Sequence, residues 1–427
     1  MKILLTGATG FIGGHCLRAL IQQGHDVTVC VRNPAKLYQH TSQLNALKAD
    51  FSTMQNVKDW LPLLKDIEAV MNCVGIIAET KQQKFIDLHQ NAPIALFKAC
   101  EQAGVKKVIQ ISALGADEQA ESTYHLTKRA TDEVLQSLNL DWFIFQPSIV
   151  YGEGAQSMAL FHALAALPVS VLMDGGEQML QPVHVDDITS TMLVCLKPET
   201  KGKQILHLVG ANPVSFKTLL EQLRLRLQLK PPPSFSAPHS LVIPFASLGK
   251  YIDIPALSAD GMQMLLRGNT ADKQPFVEFI KREPYSLQEK LINHPATIAE
   301  QWHARLFFMP ITLRLTLAFL WLWSGFVSAF LYPAEQSYQL LVPLGITGFG
   351  AAFSLYGLAI MDALIGIATL CRYRFKYLLI LQILLITGYS IVISFGLPEY
   401  FLHPFAPIVK NITLVVIALI LLALEER

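Results

Sequence analysis

The sequence predicts an α/β protein whose parallel sheet is covered by helices on both faces, joined to a C-terminal bundle of membrane-spanning helices. Two observations lead to this fold class. Short apolar runs alternate with segments of helical periodicity over the first half of the chain, and this order builds a parallel sheet. The last third consists instead of long apolar stretches with few charges, of the length that crosses a bilayer.

Length and composition bound the domain organisation. The chain has 427 residues, 52% of them hydrophobic, and a net charge of +1, which gives no bias toward nucleic acid. The apolar excess lies in residues 311–424. We therefore expect a globular domain in residues 1–300, with a substrate-side lobe in about 150–300, and a membrane domain in residues 301–427. The six cysteines form no CxxC pair, which favours buried thiols in a reducing compartment over disulfides.

The individual elements follow from periodicity and from helix-stop signals. Gly24 is a natural stop for the first helix, because glycine adopts the left-handed conformation that ends helices. The predicted helices are FIGGHCLRALIQQG (11–24), APIALFKACEQAG (92–104) and TYHLTKRATDEVLQSL (123–138). The predicted strands are KILLT (2–6), DVTVCV (26–31), IEAVMNCV (67–74), KKVIQIS (106–112) and DWFIFQPS (141–148).

The first turn, TGATGFIGG, joins a strand to a helix and places Gly7, Gly10 and Gly13 three residues apart. Glycine permits a tight turn and a close backbone approach to a pyrophosphate, and the helix start offers free N–H groups. This context predicts a dinucleotide site rather than a glycine-rich turn without a ligand. The expected cofactor contacts in this turn are Gly7, Thr9, Gly10, Phe11, Ile12 and Gly13.

Each of the next two strands is followed by a residue that indicates which dinucleotide binds. Arg32 follows the second strand, where an acidic residue is typical of NAD sites, and a guanidinium there suits a 2′-phosphate. NADP(H) is therefore favoured, with NAD(H) as the alternative if Arg32 only faces solvent. Asp50, in KADFS, is expected to accept a hydrogen bond from the adenine amine or, alternatively, to cap a helix.

A tyrosine and a lysine in YHLTK, Tyr124 and Lys128, lie on one side of a predicted helix because they are four residues apart. The strand before this helix ends at Ser112. This order behind a dinucleotide turn favours catalytic groups over an ordinary helix surface.

Taken together, these segments resemble the extended, atypical branch of the short-chain dehydrogenase/reductase superfamily over roughly residues 1–215. The similarity is strongest to the subgroup that contains the nucleotide-binding accessory subunit of respiratory complex I. It implies a Rossmann-type doubly wound parallel sheet with a small substrate-side lobe. The segments that carry it are TGATGFIGG, NCVG (72–75), Asp50, Asn91, ISALGAD with YHLTK, QPSIVYG (146–152) and QPVHVDDI (181–188).

The resemblance implies catalytic roles for three residues. Tyr124 would exchange a proton with the substrate oxygen, Ser112 would polarise that oxygen, and Lys128 would hold the nicotinamide ribose and lower the tyrosine pKa. A nearby ammonium is needed because an ordinary phenol, with a pKa of about 10, is a poor base near neutrality. The further cofactor contacts implied are Cys73, Val74, Gly75, Asn91, Pro147 and Ser148.

His184, Asp186 and Asp187 in VHVDD raise the alternative of a metal site. The family pattern instead implies a structural turn and a helix cap. We therefore expect no metal.

The membrane domain is predicted to cross the bilayer four times, since about 20 apolar residues suffice for one crossing. Buried helices of a soluble protein are the alternative, which the scarcity of charges disfavours. Arg305, Arg314 and the loop RYRFK (372–376) fall on one side of such a bundle, which predicts that the nucleotide-binding domain and both termini are cytoplasmic, at the inner membrane. The predicted spans lie near 311–332, 350–371, 377–396 and 408–424.

This region resembles the DoxX-like membrane family in LWLWSGFVSAFLYPAEQSYQLL (320–341), LAIMDALIGIATL (358–370) and LPEYFLHPFAPIVKN (397–411). Asp362 lies within a span and Lys410 opens the last one. Ionisable groups at membrane depth are functional candidates. We hypothesise an Asp362–Lys410 ion pair, with a polar clamp that holds the bundle together as the alternative.

The preferred function is a membrane-anchored, NADP(H)-dependent oxidoreductase that transfers a hydride to or from a carbonyl or hydroxyl of a small, lipophilic substrate, quinone-like or isoprenoid-like. One alternative is a non-catalytic NAD(P)H-binding scaffold, assembly or sensor subunit of a membrane protein complex. A second is an NAD-dependent sugar epimerase, disfavoured by Arg32 and by the membrane fusion. The expected partners are the small-molecule substrate, the lipid bilayer and such a complex, and no nucleic acid.

Overall fold

The computed structural model describes residues 1–34, 44–80, 82–246 and 259–425. The chain divides into two compact units, Met1–Arg305 and Leu306–Arg427.

A parallel sheet forms the centre of the N-terminal unit. In the part of the chain that the structure describes, it has seven strands in the order β11-β6-β5-β4-β1-β2-β3, and every neighbouring pair is parallel. The predicted fold class is therefore confirmed. Its strands are β1 (Lys2–Thr6), β2 (Asp26–Val31), β3 (Asn45–Lys48), β4 (Ala69–Asn72), β5 (Lys107–Ile111), β6 (Asp141–Pro147) and β11 (Gln204–Leu208).

Helices cover both faces of this sheet, as expected for strands that are apolar on both sides. One face packs against the first, sixth and tenth helices through residues such as Leu20, Met192 and Phe276. The other packs against the second, third and fourth helices through Trp60, Phe97 and Leu135. The helices of this unit are α1 (Phe11–Gln22), α2 (Val57–Trp60), α3 (Ala92–Ala103), α4 (Thr123–Ser137), α5 (Gln156–Ala166), α6 (Val185–Cys195), α7 (Phe216–Arg226), α8 (His239–Ala246), α9 (Ala259–Arg267), α10 (Gln274–Ile280) and α11 (Ile298–Leu306).

Polar side chains replace apolar ones at the carboxyl ends of three neighbouring strands. Thr6, Asn72 and Gln110 are register partners on β1, β4 and β5. The Thr6 hydroxyl donates to the Asn72 side-chain oxygen at 2.6 Å, and the Asn72 amide donates to Gln110 at 2.8 Å. This edge of a parallel sheet is where ligands bind in open α/β folds.

The remaining strands belong to the substrate-side lobe and pair two by two. Short ladders join β7 to β10 and β8 to β13 in parallel, and β9 to β12 antiparallel. A separate apolar core that includes Leu219, Leu223 and Tyr151 lies beneath them. The strands are β7 (Val150–Tyr151), β8 (Ser170–Met173), β9 (Met179–Leu180), β10 (Val183–His184), β12 (Val214–Ser215) and β13 (Ser234–Ala237).

The second unit consists mainly of apolar helices. By length and composition, three helical segments of the described residues can cross a membrane, at Ile298–Leu331, Phe349–Leu370 and Phe375–Gly396, and a shorter apolar helix covers Asn411–Glu425. The first of these segments begins before the predicted span at 311–332. The helices are α12 (Met309–Phe326, continued by a π-helical turn, Val327–Leu331), α13 (Ala334–Leu341), α14 (Phe349–Leu370), α15 (Phe375–Gly396), α16 (Pro398–Phe401) and α17 (Asn411–Glu425).

An ion pair joins the end of α17 to the loop between α14 and α15. Arg372 donates to both carboxylate oxygens of Glu425, at 2.7 and 2.8 Å. The last helix of the bundle is thereby fixed to the basic loop RYRFK at its C-terminal end.

Candidate functional site

The glycine turn between β1 and α1 is shaped by close contacts. Gly7 has a positive φ of 72°, and a Cβ there would lie 2.7 Å from the Cys73 carbonyl carbon. A Cβ on Gly13 would overlap the Gly7 carbonyl oxygen. These two glycines therefore let the turn approach β4 and let α1 approach the turn.

Gly10 differs from the other two because it is exposed, although a Cβ there would still lie 3.2 Å from the Gly7 carbonyl oxygen. It is the N-cap of α1, and no side chain caps the helix there. A helix start without a side-chain cap leaves backbone N–H groups for an anion. Thr9, Phe11 and Ile12 line the same turn, so these residues fit the pyrophosphate of a dinucleotide.

The segment after β4 forms the neighbouring wall of the site. Its backbone is held in place because the Val74 N–H donates to the Asn72 side-chain oxygen at 3.3 Å. Gly75 lies against α4, and a Cβ there would be 3.3 Å from the Lys128 Nζ. Cys73, Val74 and Gly75 are thus brought between the glycine turn and α4.

Lys128 is 3% exposed, and its ammonium points to backbone carbonyls at this wall. Its Nζ donates to Ile111 O at 2.9 Å and to Val74 O at 3.5 Å. Burial lowers the pKa of Lys128 to about 8, and the Asp132 carboxylate opposes that shift. An ammonium has three donors, so these bonds leave one N–H for a ligand.

Tyr124 lies one turn earlier on α4, within a cluster of rings. Its ring makes edge contacts with Phe85, His89 and His125, with centroid distances of 5.8, 5.3 and 5.3 Å. Burial raises the pKa of Tyr124 to about 12, and the Asp132 carboxylate adds to the rise. Burial of the phenol thus dominates the pKa of Tyr124 in this structure, and a lowering of that pKa by Lys128 stays a prediction.

The Ser112 hydroxyl is hydrogen-bonded to a buried carboxylate in this structure. Its hydroxyl donates to the Asp132 Oδ2 at 2.5 Å, and the Gln146 amide donates to the same oxygen at 3.4 Å. Asp132 is 2% exposed, and burial raises its pKa to about 7. Ser112 thus lies beside α4 with its hydroxyl bonded to a carboxylate, and its polarising role stays a prediction.

His89 is a buried site residue that the sequence did not reveal. Its Nε2 accepts the Ile76 N–H at 3.0 Å, and its ring stacks on Phe85. Burial lowers the pKa of His89 to about 2, and the charge of Lys128 adds to the decrease. His89 is therefore neutral at physiological pH and holds the backbone next to Gly75.

The outer cofactor contacts predicted from the sequence are distributed along the carboxyl edge of the sheet. Arg32 is exposed directly after β2. Asp50 follows β3, and its Oδ1 accepts the Ser52 N–H and hydroxyl at 3.0 and 2.7 Å, so it closes a turn. The Asn91 amide donates to Gln55 at 3.5 Å. Their contacts with a cofactor stay predictions.

Pro147 ends β6, and Ser148 follows it on the way from the site to the lobe. The Pro147 carbonyl accepts the Leu114 N–H at 2.9 Å. The Ser148 hydroxyl donates to Gln181 O at 2.5 Å. Gln181 borders a cavity of about 420 Å³, whose other lining residues are Met179, Ala211, Asn212, Pro213, Thr270, Ala271, Asp272 and Lys273.

A bidentate ion pair fixes the loop that leads into α4. Arg267, at the end of α9, donates to both Asp117 oxygens at 2.6 and 2.7 Å and to Gly115 O at 2.9 Å. No local sequence pattern indicates this contact, because the two residues are 150 positions apart.

The VHVDD segment forms a helix cap. The Asp186 N–H donates to His184 Nδ1 at 3.2 Å at the start of α6, and Asp187 pairs with Arg282 at 2.7 Å. Within the described residues, no group of three or more His, Cys, Asp or Glu side chains is arranged to hold a metal ion.

In the second unit, Asp362 and Lys410 are not brought together as hypothesised. The Ser324 hydroxyl donates to the Asp362 carboxylate at 2.8 Å, which links α14 to α12, whereas Lys410 is exposed. Asn411 donates to Ser390 at 2.9 Å. The ion-pair hypothesis is wrong, because a hydroxyl on the neighbouring helix bonds the carboxylate, and the polar-clamp alternative describes this contact.

Comparison with protein families finds a match for each part of the chain. Residues 7–163 match the NAD(P)H-binding family, and residues 318–419 match the DoxX-like family. Both predicted resemblances are confirmed.

Among individual proteins, the chain is similar to a ceramide reductase of Caulobacter vibrioides, with 27% identity over 202 residues that cover 47% of this chain and 62% of the relative. The chain thus spans less than two thirds of that protein. It is also similar to the NADH-ubiquinone oxidoreductase 40 kDa subunit of Neurospora crassa mitochondria, with 22% identity, covering 63% of this chain and 71% of the relative.

A solved structure shares the fold of the N-terminal unit. MoeE5, in complex with UDP-glucuronic acid and NAD, superimposes with a TM-score of 0.54 at 20% identity and covers 69% of this chain and 97% of its own. At this identity the likeness concerns the fold alone.

Proposed function

We propose that this chain, which joins an NAD(P)H-binding Rossmann-type domain to a DoxX-like membrane domain, is a membrane-bound, NADPH-dependent reductase of a lipophilic carbonyl compound. The observation that carries the proposal is the position of Tyr124 and Lys128. They lie one turn apart on α4, and the Lys128 Nζ borders Gly75 on the wall that continues from the glycine turn.

The protonation state of Tyr124 supports reduction rather than oxidation. With a pKa of about 12, its phenol keeps its proton at neutral pH and can donate it to a carbonyl oxygen. When bound, the nicotinamide would supply the hydride for the carbonyl carbon. Lys128, with its free N–H, would orient the ribose, and its charge would stabilise the phenolate left after proton donation.

The preference for NADPH rests on Arg32. An exposed guanidinium directly after β2 suits a 2′-phosphate, whereas an acidic residue there would suit the ribose hydroxyls of NADH.

The lipophilic nature of the substrate is inferred from the membrane domain on the same chain. A reductase for a water-soluble compound needs no such domain. The similarity to a ceramide reductase adds sphingolipid-like carbonyl compounds to the quinone-like and isoprenoid-like ones that we expect.

The test uses the full chain in lipid nanodiscs, with binding of NADPH and NADH measured first. NADPH oxidation is then followed with a quinone, a prenyl aldehyde and a 3-keto sphingoid base as separate substrates. We expect tighter binding of NADPH and turnover with at least one of the three. Turnover with none of them, together with intact NADPH binding, would contradict a reductase of lipophilic carbonyls.

Tyr124→Phe separates chemistry from binding. Removing a positioned proton donor typically costs 10²- to 10⁴-fold in rate, so we expect about that loss in kcat. The NADPH dissociation constant should not change, because the phenol is not among the groups that we assign to cofactor binding. Full activity in this variant would exclude Tyr124 as the acid.

The second candidate function is an NAD(P)H-binding subunit of a membrane complex without turnover. It is favoured by the similarity to the 40 kDa subunit and by the engagement of Ser112 with Asp132. If this second function is right, cells with Tyr124→Phe and Lys128→Ala should keep the wild-type phenotype. Gly10→Asp places a carboxylate at the phosphate site and should abolish that phenotype.

A further inference from the structure

A buried carboxylate lies one turn after Lys128 on the helix that carries the candidate catalytic residues. Asp132 follows Lys128 by four residues on α4, so both side chains project from the same side of the helix. Both residues are almost completely buried, at 2% and 3% exposure. The sequence alone contained this signal, because residues four apart on a helix share one of its faces.

The charge of Lys128 needs a partner in this environment. A buried ammonium without a counter-charge is strongly disfavoured and tends to lose its proton. Its hydrogen-bond acceptors, Ile111 O and Val74 O, are neutral carbonyls.

The ionisable groups that face Lys128 come from three elements. Tyr124 and Asp132 lie on α4, Cys73 lies directly after β4, and His89 lies on the π-helical turn (Ile86–Asn91) before α3. His89 is neutral, and Tyr124 keeps its proton at neutral pH because its pKa is about 12. Among these neighbours Asp132 favours the charged form of Lys128 most strongly, ahead of Cys73.

The carboxylate of Asp132 is held by strand residues. The Ser112 hydroxyl from the end of β5 and the Gln146 amide from β6 both donate to its Oδ2. Its Oδ1 is buried and accepts no hydrogen bond from the described residues. Glu133, the next residue, is exposed and pairs with Arg129 at 2.6 Å, so it is a natural comparison.

We propose that Asp132 is a positioning residue whose buried charge keeps Lys128 protonated at the nicotinamide ribose site, and that Ser112 and Gln146 hold its carboxylate for this purpose. This inference rests on the proposed function. It gives Ser112 a different task from the one that the family resemblance implies, since the serine acts through Asp132 rather than on the substrate.

The experiment measures the pH dependence of the NADPH dissociation constant and of kcat/KM for the full chain in nanodiscs. The variants are Asp132→Asn, Asp132→Glu and Ser112→Ala, with Glu133→Gln as the matched control. Asp132→Asn removes the charge and keeps the shape, so Lys128 loses its proton at lower pH. We expect the alkaline limb of both profiles to shift to lower pH by about one unit or more. At the acidic end, the NADPH dissociation constant and kcat/KM should stay near their wild-type values.

The other variants sharpen the result. Asp132→Glu keeps the charge and should restore most of the profile, whereas Ser112→Ala should move the limb in the same direction as Asp132→Asn but less far. Glu133→Gln should leave it in place. If Asp132→Asn does not fold, the Ser112→Ala and Asp132→Glu profiles decide the question alone.

Two outcomes would overturn the proposal. One is an unchanged alkaline limb in Asp132→Asn. The other is an equal loss at every pH in Asp132→Asn or in Ser112→Ala, which would indicate a structural role or direct polarisation of the substrate. If the wild-type chain binds NADPH but turns over no substrate, the proposed function fails, and the binding profiles still test the role of Asp132.

Discussion

At the scale of single residues, the site contains a histidine whose neutral state is part of the fold. The Nε2 of His89 accepts a backbone N–H, and protonation would remove that acceptor. Burial, reinforced by Lys128, lowers its pKa from 6.5 to about 2. Below pH 6.5 the unfolded chain therefore binds a proton that the folded chain does not, and stability decreases as the pH falls through this window.

His89→Gln should remove this pH dependence, because glutamine can accept the same N–H without titrating. For one such group the free energy of unfolding changes by at most about 1.4 kcal/mol per pH unit. We expect the variant to lose less stability than the wild type between about pH 7 and about pH 5, measured by chemical denaturation of the full chain in detergent.

The comparison variant is His294→Gln, since this histidine is exposed. It should follow the wild-type curve. Equal acid sensitivity of His89→Gln and the wild type would show that His89 is protonated in the folded protein or already neutral in the unfolded one.

Sequence spacing predicted part of this site because the relevant residues share one element. Tyr124 and Lys128 are one helical turn apart, so their common face follows from periodicity alone. The bond from Ser112 to Asp132 and the contact of His89 with Ile76 depend instead on how α4 and the segment before α3 pack on the sheet. No local pattern contains that information.

At the scale of elements, the glycines of the first turn have different tasks. Gly13→Ala should place a methyl group against the Gly7 carbonyl and destabilise the protein by about 1–3 kcal/mol, the usual cost of overpacking. We also expect weaker NADPH binding, because α1 would shift away from the turn. Thermal denaturation and a binding titration measure the two effects.

Gly14 provides the matched control on the same helix. A Cβ there would lie 3.5 Å from Ala8 O, an ordinary contact. Gly14→Ala should therefore stabilise the protein by up to about 1 kcal/mol through helix propensity. If Gly13→Ala and Gly14→Ala behaved alike, the close packing of α1 on the turn would not matter for stability.

In the membrane unit, α12 packs closely against α14 at Gly325. A Cβ there would lie 2.6 Å from Ala359 O and 3.2 Å from Ala363 N. Small residues permit such approach between membrane helices. Gly325→Ala should therefore lower the thermal stability of the purified protein in detergent.

Gly357, on α14, is the control for this substitution, because a Cβ there meets nothing within 4 Å. Gly357→Ala should leave the melting temperature unchanged or raise it slightly. A stable Gly325→Ala variant would show that the two helices can separate without cost.

Most element positions followed from periodicity, with small differences at the ends. Predicted strand 67–74 is Ala69–Asn72 in the structure, and helix 92–104 ends at Ala103 with Gly104 in the left-handed conformation. Strand β11, which completes the sheet beside β6, was not predicted. Its short sequence QILHL becomes a strand because it pairs with a segment about 60 residues earlier in the chain. Local sequence patterns contain no information on such a distant pairing.

At the scale of the whole molecule, the orientation of the chain in the membrane is testable through Cys371. This exposed cysteine lies beside the basic loop RYRFK, which we expect on the cytoplasmic side. A membrane-impermeant maleimide should label it in inverted membrane vesicles and not in intact spheroplasts.

A cysteine placed at Glu399, in the connection between α15 and α17, should show the opposite pattern in a Cys371→Ser background. Labelling of both positions from the same side would contradict the four-span orientation and would mean that α15 does not cross the bilayer.

The bond between Arg372 and Glu425 has a consequence for the lipid around the protein. Since it keeps both residues at one surface, the four-span topology that we predict requires α15 to cross the bilayer in one direction and α17 to cross it in the other. Fifteen helical residues extend only about 22 Å, while the hydrocarbon layer is about 30 Å thick. In the predicted four-span topology this hydrophobic mismatch would be relieved by local thinning of the bilayer or by the Lys410 side chain extending to the headgroups, so we expect bilayers with short acyl chains to suit this protein best.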